Sequence, residues 1–131
     1  MADVPPINCL DLSDFQRVLN KLRDLEDKVV LKLNCELPTH SFPKNATKIC
    51  ENFQKELAAI RSQRLNVMYN CLRENQQFVN LRKDKEPGQP ALTTVMGNLR
   101  FIRNEETVDE IIRAQTDQTA AERCKKAQLN P

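Results

Sequence analysis

Seven prolines punctuate this chain, at positions 5, 6, 38, 43, 87, 90 and 131. They leave three long stretches without proline, 7–37, 44–86 and 91–130. Inside a helix a proline removes a hydrogen bond and clashes with the preceding turn, which costs about 3 kcal/mol. Long helices therefore fit the three gaps and little else. Only two glycines occur in 131 residues, tryptophan is absent and aromatics are 5%. Sheet proteins use more turn glycine and more β-branched and aromatic residues. The expected class is all-α: an elongated antiparallel bundle of three long helices, the third broken near Asn104. One domain spans 1–131, with 1–12 as an extended N-terminal arm.

Apolar spacing places the helices. Ser13 with Gln16 has the capping-box pattern, so the first helix is predicted to start near Ser13 and end near Asn34. Phe15, Val18, Leu22, Leu25 and Val29 recur at three-four spacing, and Leu19 and Leu33 widen the stripe. Residues 35–44 read as a turn around Pro38, His40 and Pro43. The second helix is predicted from Ala46 to Lys83, with Ile49, Phe53, Leu57, Ile60, Val67, Cys71, Phe78 and Leu81 on its apolar face. Arg64, Glu74 and Asn75 interrupt that face, which implies a partly polar contact there. Asn45-Ala46-Thr47 matches a glycosylation acceptor, but Asn45 or Thr47 as a helix cap explains it better.

Asp84 to Pro90 is a charged turn built on Pro87-Gly88. Leu92, Val95, Leu99 and Ile102 open the third segment. Thr107-Val108-Asp109-Glu110 offers a second capping box, and Ile111 is expected on the apolar side of a restarted helix. From Ala114 to Cys124 the apolar signal is weak, so something other than a stripe holds that stretch, or it frays.

Twenty basic and 18 acidic residues give a net charge of +2. That balance argues against nucleic acid, and no basic stripe with interleaved aromatics stands out. Arg100 and Arg103, beside Phe101 and Ile102, read as a solvated helix face. No apolar run approaches the roughly 20 residues that cross a bilayer. Met1 to Pro6 has neither a secretory signal pattern nor an arginine-rich presequence pattern.

The five cysteines, Cys9, Cys35, Cys50, Cys71 and Cys124, are widely spaced: the closest pair, Cys35 and Cys50, has 14 residues between its members. Zinc sites and Cys-x-x-Cys motifs need closer spacing, so no metal is expected. Register offers pairings. Cys9 lies 31 residues before His40 and Cys71 lies 31 after it. Cys50 lies 37 before Pro87 and Cys124 lies 37 after it. On antiparallel hairpins centred there, Cys9 is level with Cys71 and Cys50 with Cys124. Cys35 with Cys50 is the rival pairing. Five reduced, buried thiols are the bland alternative. Cys50 with Phe53 and Leu57, and Cys71 with Met68, also form apolar faces that a disulfide-introducing oxidase with a hydrophobic cleft could dock on.

Several short matches share one order and spacing. They are Asn8-Cys9 ahead of Phe15; Arg23, Asp27, Val30 and Leu33-Asn34; Pro38-Thr39 and Ser41-Phe42; Cys50; Asn70-Cys71; Leu81-Arg82; and Glu122-Arg123-Cys124. In these the chain resembles the coiled-coil domain-containing protein 58 family, whose fungal members are described as import factors of the mitochondrial intermembrane space. The likeness runs over 8–82, and the final Arg-Cys is recovered near the end. It implies a soluble intermembrane-space protein without a cleavable presequence, folded and trapped by disulfide formation through a disulfide-relay oxidoreductase. It implies partners in the inner-membrane protein import machinery or its client precursors, and no catalysis. Cys9, Cys50, Cys71 and Cys124 carry over, and Cys35 is left as the free thiol.

Enzyme chemistry has little support. The lone histidine, His40, sits in a proline-flanked turn, and no phosphate loop, nucleophile elbow or histidine–carboxylate cluster occurs. No cofactor is expected. Asp24, Asp27, Glu105 and Glu106 suit helix faces and caps. Cys35 as a redox-active thiol lacks a neighbour that would clearly depress its pKa. The competing reading is a reduced cytosolic coiled-coil adaptor, whose first-helix stripe binds a partner helix.

Overall fold

The structure, a computed structural model, describes residues 7–37, 43–86 and 88–129. It consists of three α-helices: α1 (Leu12–Glu36), α2 (Pro43–Arg82) and α3 (Pro90–Leu129). The expected all-α bundle of three long helices is present. At 1.5 Å per residue, the 40 residues of α2 and of α3 each span about 60 Å, against about 37 Å for the 25 of α1. The fold is therefore a long α2–α3 hairpin with a shorter helix laid along it.

Helix boundaries follow local chemistry. The α1 cap is Asp11, whose carboxylate accepts from the Ser13 backbone N–H at 3.0 Å, so the Ser13 capping box does not form. Asp is as good an N-cap as Ser, and here it comes first along the chain. Both α2 and α3 begin on a proline, Pro43 and Pro90. A proline at the first helical position loses nothing, because its missing N–H would have no intrahelical partner. Asn45 and Thr47 consequently lie inside α2 and cap nothing, and Ala46 between them is buried. Residues 38–42, including His40, lie outside the described part, as do Met1–Pro6 and Pro87. The described part of the arm is not fully extended: Asp11 N–H donates to the Asn8 carbonyl in a turn at 3.0 Å.

The expected break at Asn104 is absent, and α3 runs unbroken through it. Thr107 caps no restarted helix; its hydroxyl donates back to the Arg103 carbonyl at 3.4 Å. Three apolar residues expected on inner faces point outward: Leu25, Leu81 and Ile111 are 38%, 68% and 55% exposed.

The core is in three parts. Phe15, Val18, Leu19 and Leu22 of α1 pack on Val67, Met68 and Cys71 of α2, Ile102 of α3, and Cys9. Leu33 and Leu37 pack with Ala46, Cys50, Phe53 and Leu57 of α2 and Ala120 of α3. At the α2–α3 tip, Val79 closes on Leu92, Val95 and Leu99 without a contribution from α1.

Candidate functional site

Each of the two larger core clusters carries one disulfide. Cys9 is bonded to Cys71, with Cα atoms 4.8 Å apart, in the first cluster. Cys50 is bonded to Cys124, with Cα atoms 6.2 Å apart, in the second. Both distances lie in the usual range for a bridge. The register pairings hold, and the rival Cys35–Cys50 bridge does not form. Cys35 is free and exposed near the end of α1. Between them the bridges tie the arm ahead of α1 to α2, and α2 to the far end of α3.

The Cys9–Cys71 bridge has a polar brace. Asn75 sits one turn beyond Cys71 and is fully buried. Its amide donates to the Cys9 carbonyl at 2.8 Å and to the Cys71 carbonyl at 2.7 Å. Asn98 of α3 donates to the Asn75 side-chain oxygen and to the Leu10 carbonyl, each at 3.2 Å. The arm lacks helical partners for its carbonyls, and these two asparagines supply them. Asp14 accepts from the Asn8 backbone N–H at 2.8 Å. The hydrogen bond from Arg17, and then that from Asn8, hold the Asp14 carboxyl below its ordinary value of 3.8.

The Cys50–Cys124 bridge anchors a stretch with little apolar packing. Among the described residues beyond Asp109 only Ala120 is buried, and Ile112 and Cys124 are the partly buried apolar ones. The remaining ties are polar: Arg61 to Asp117 at 2.8 Å, and Arg123 to the Asn34 and Leu37 carbonyls at 3.3 and 3.2 Å. Arg123 thus serves carbonyls that the end of α1 leaves unpaired. The weak segment is held by something other than a stripe. Nearby, Lys32 reaches Glu56 across α1 and α2 at 3.0 Å, and that hydrogen bond raises the Lys32 pKa above its ordinary 10.5.

Between the two disulfide clusters lies a buried ionic layer. Glu26, Arg64 and Asp109, one from each helix, are at most 1% exposed. Arg64 donates to Glu26 at 2.7 Å and pairs with Asp109 at 2.8 Å. Thr116 donates to the second Glu26 oxygen at 2.8 Å. Arg23 closes on Glu105 at 2.6 Å, and Arg61 and Arg113 flank the layer. Of the residues that interrupt the α2 stripe, Arg64 and Asn75 are fully buried in polar contacts, while Glu74 is exposed. The signal for Glu26 and Asp109 was also present: each falls on the inward seam, Glu26 four residues after Leu22 and Asp109 seven after Ile102.

The residues of the expected oxidase-docking face, Cys50, Phe53, Leu57, Met68 and Cys71, are divided between the two clusters. All are buried, at 0–7% exposure, so the folded chain presents no such face. They would be accessible only before the bundle closes. Arg100 and Arg103 are exposed, as a solvated face requires. Among the described residues no group of histidine, cysteine, aspartate or glutamate is arranged to hold a metal ion. Among them also, no helix is long and apolar enough to cross a membrane. No protein-family model matches the chain, and no solved structure matches it.

Proposed function

We propose that this chain is a soluble, non-catalytic helical factor of the mitochondrial intermembrane space that supports protein import and is locked into shape by disulfide formation. The observation that carries this reading is the pairing Cys9–Cys71 and Cys50–Cys124. It uses the four cysteines singled out by the resemblance to the coiled-coil domain-containing protein 58 family, and leaves Cys35 out. Long-range disulfides persist in oxidising compartments and are rare in the cytosol.

The helices also suit such a route. Each bridge closes a long loop, its cysteines lying 62 and 74 positions apart. A reduced chain with a thin core and a buried charge layer gains much of its fixed shape from the bridges. A disulfide-relay oxidoreductase acting on the open chain would meet Cys50 beside Phe53 and Leu57, and Cys71 beside Met68. The later partners are the import machinery of the inner membrane or its clients.

Thiol counting by intact mass after alkylation, on protein recovered from fractionated mitochondria, tests the compartment and the chemistry. One alkylated thiol in the intermembrane-space fraction is expected. Five alkylated thiols, or recovery in the cytosol, would overturn the reading. The role is tested by the import rate of a matrix-targeted precursor into mitochondria depleted of this protein: a slowed rate is expected, restored by wild type and not by a variant with all four bridging cysteines changed to serine.

A further inference from the structure

We infer that the outer groove between α2 and α3, around Leu72 and Leu99, is a docking site for an acidic amphipathic helix of a partner protein. The groove has a volume of about 390 Å³. Leu72 and Leu99 are its apolar lining, and Tyr69, 67% exposed, stands at one end. Exposed apolar residues continue the strip: Leu65 lies one turn before Tyr69, and Met96 one turn before Leu99. Gln76 and Asn80 bond to each other along the α2 side at 3.0 Å. The space suits one or two large side chains of a helix laid along the groove.

Charge decides what kind of helix. Arg73 and Arg103 line the groove from its two helices, and no acidic residue lines it. Both arginines are exposed, and neither guanidinium makes a hydrogen bond or ion pair among the described residues. The arginines of the buried seam differ: Arg23, Arg61, Arg64 and Arg113 each face a carboxylate. In a chain with net charge of only +2, two unmatched guanidiniums beside an apolar strip form a local cationic site. Guanidinium groups bind carboxylates through paired hydrogen bonds, and exposed tyrosine and arginine are common anchors of interfaces. The complementary surface is therefore a helix with an apolar face flanked by Asp or Glu. Presequences of matrix proteins are arginine-rich and poor in acidic residues, so this groove repels them. Resting on the role proposed above, this makes the occupant an acidic segment of the import machinery and not a client's presequence.

The test uses the full oxidised chain, isotopically labelled, and two synthetic amphipathic peptides. They share a leucine face and differ in carrying glutamate or lysine on the other. The glutamate peptide is expected to shift amide resonances within 69–80 and 96–103 and to bind at least about tenfold more tightly than the lysine peptide, with affinity falling as salt rises. The exposed-site variant Arg73→Glu/Arg103→Glu, shown to keep its helicity and melting temperature, should reverse that preference. Equal binding of the two peptides, shifts centred elsewhere, or displacement of the glutamate peptide by phosphatidylcholine–cardiolipin vesicles would overturn the inference. None of these outcomes bears on the compartment or the import role, which fail or stand on thiol counting and import rate.

Discussion

Glu26 and Arg64 meet at 2.7 Å with neither side chain more than 1% exposed. A buried ion pair contributes little over an apolar pair of the same volume, because both charges are stripped of water. Removing one partner is different, since it leaves the other charge buried alone. Arg64→Leu is expected to lose about 3–5 kcal/mol in urea unfolding of the oxidised protein. The triple variant Glu26→Leu/Arg64→Leu/Asp109→Leu should recover most of that loss, despite removing more polar contacts. A triple variant no more stable than the single one would show that the layer holds the bundle together by net attraction.

The two bridges should matter unequally along the chain. Each is expected to contribute about 2–4 kcal/mol by restricting the unfolded chain. Cys9→Ala/Cys71→Ala should lower the melting temperature of the whole domain. Cys50→Ala/Cys124→Ala should in addition free the end of α3, where among the described residues only Ala120 is buried beyond Asp109. Hydrogen exchange should then show residues 114–126 losing protection first. Cys35→Ser, at an exposed thiol, should change stability by less than about 0.5 kcal/mol.

How much of this was legible beforehand depends on what kind of signal each feature leaves. Proline spacing placed three helices because proline breaks a helix wherever it falls inside one, and an antiparallel register placed four cysteines in pairs because level positions depend only on rise per residue. The continuous α3 was not legible. Past Ile102 its apolar spacing stops, which reads as a break, yet the inward seam continues with Glu105, Asp109 and Thr116 in place of aliphatics. Apolar periodicity cannot register a seam that turns charged while staying buried. Leu81 and Ile111 failed for the converse reason. They are apolar residues at plausible spacing on turns where no neighbouring helix covers them. The Asp11 cap was missed because Ser13 offered a recognised pattern two residues later.

Asn75 is expected to govern formation of one bridge and not the other. Its amide holds the Cys9 carbonyl at 2.8 Å, which positions the arm against Cys71. Asn75→Leu takes the side-chain donor from the Cys9 carbonyl and the acceptor from the Asn98 amide, at a cost of about 1–3 kcal/mol. In oxidative refolding followed by peptide mass mapping, Cys9–Cys71 should form more slowly in this variant, with Cys50–Cys124 unchanged. Equal slowing of both bridges would mean that Asn75 acts through general stability.

The pH dependence has opposite signs at the two ends of α1. The hydrogen bonds from Arg17 and Asn8 lower the Asp14 pKa from 3.8, so the folded state favours the carboxylate. Its contribution is complete above the unfolded value and disappears as pH falls through the lower folded value. Lys32 is raised above 10.5, chiefly by its hydrogen bond to Glu56. Its contribution is complete below the unfolded value and is lost as pH rises through the higher folded one. Urea titrations of wild type, Asp14→Asn and Lys32→Met across pH separate the two. The gap between wild type and Asp14→Asn should be flat at neutral pH and close only on acidification below about pH 4. The gap between wild type and Lys32→Met should be flat at neutral pH and close on the alkaline side only above about pH 10. Both contacts lie at the surface, so added salt should shrink each gap at neutral pH. A gap insensitive to both salt and pH would assign the loss to packing of the side-chain stems.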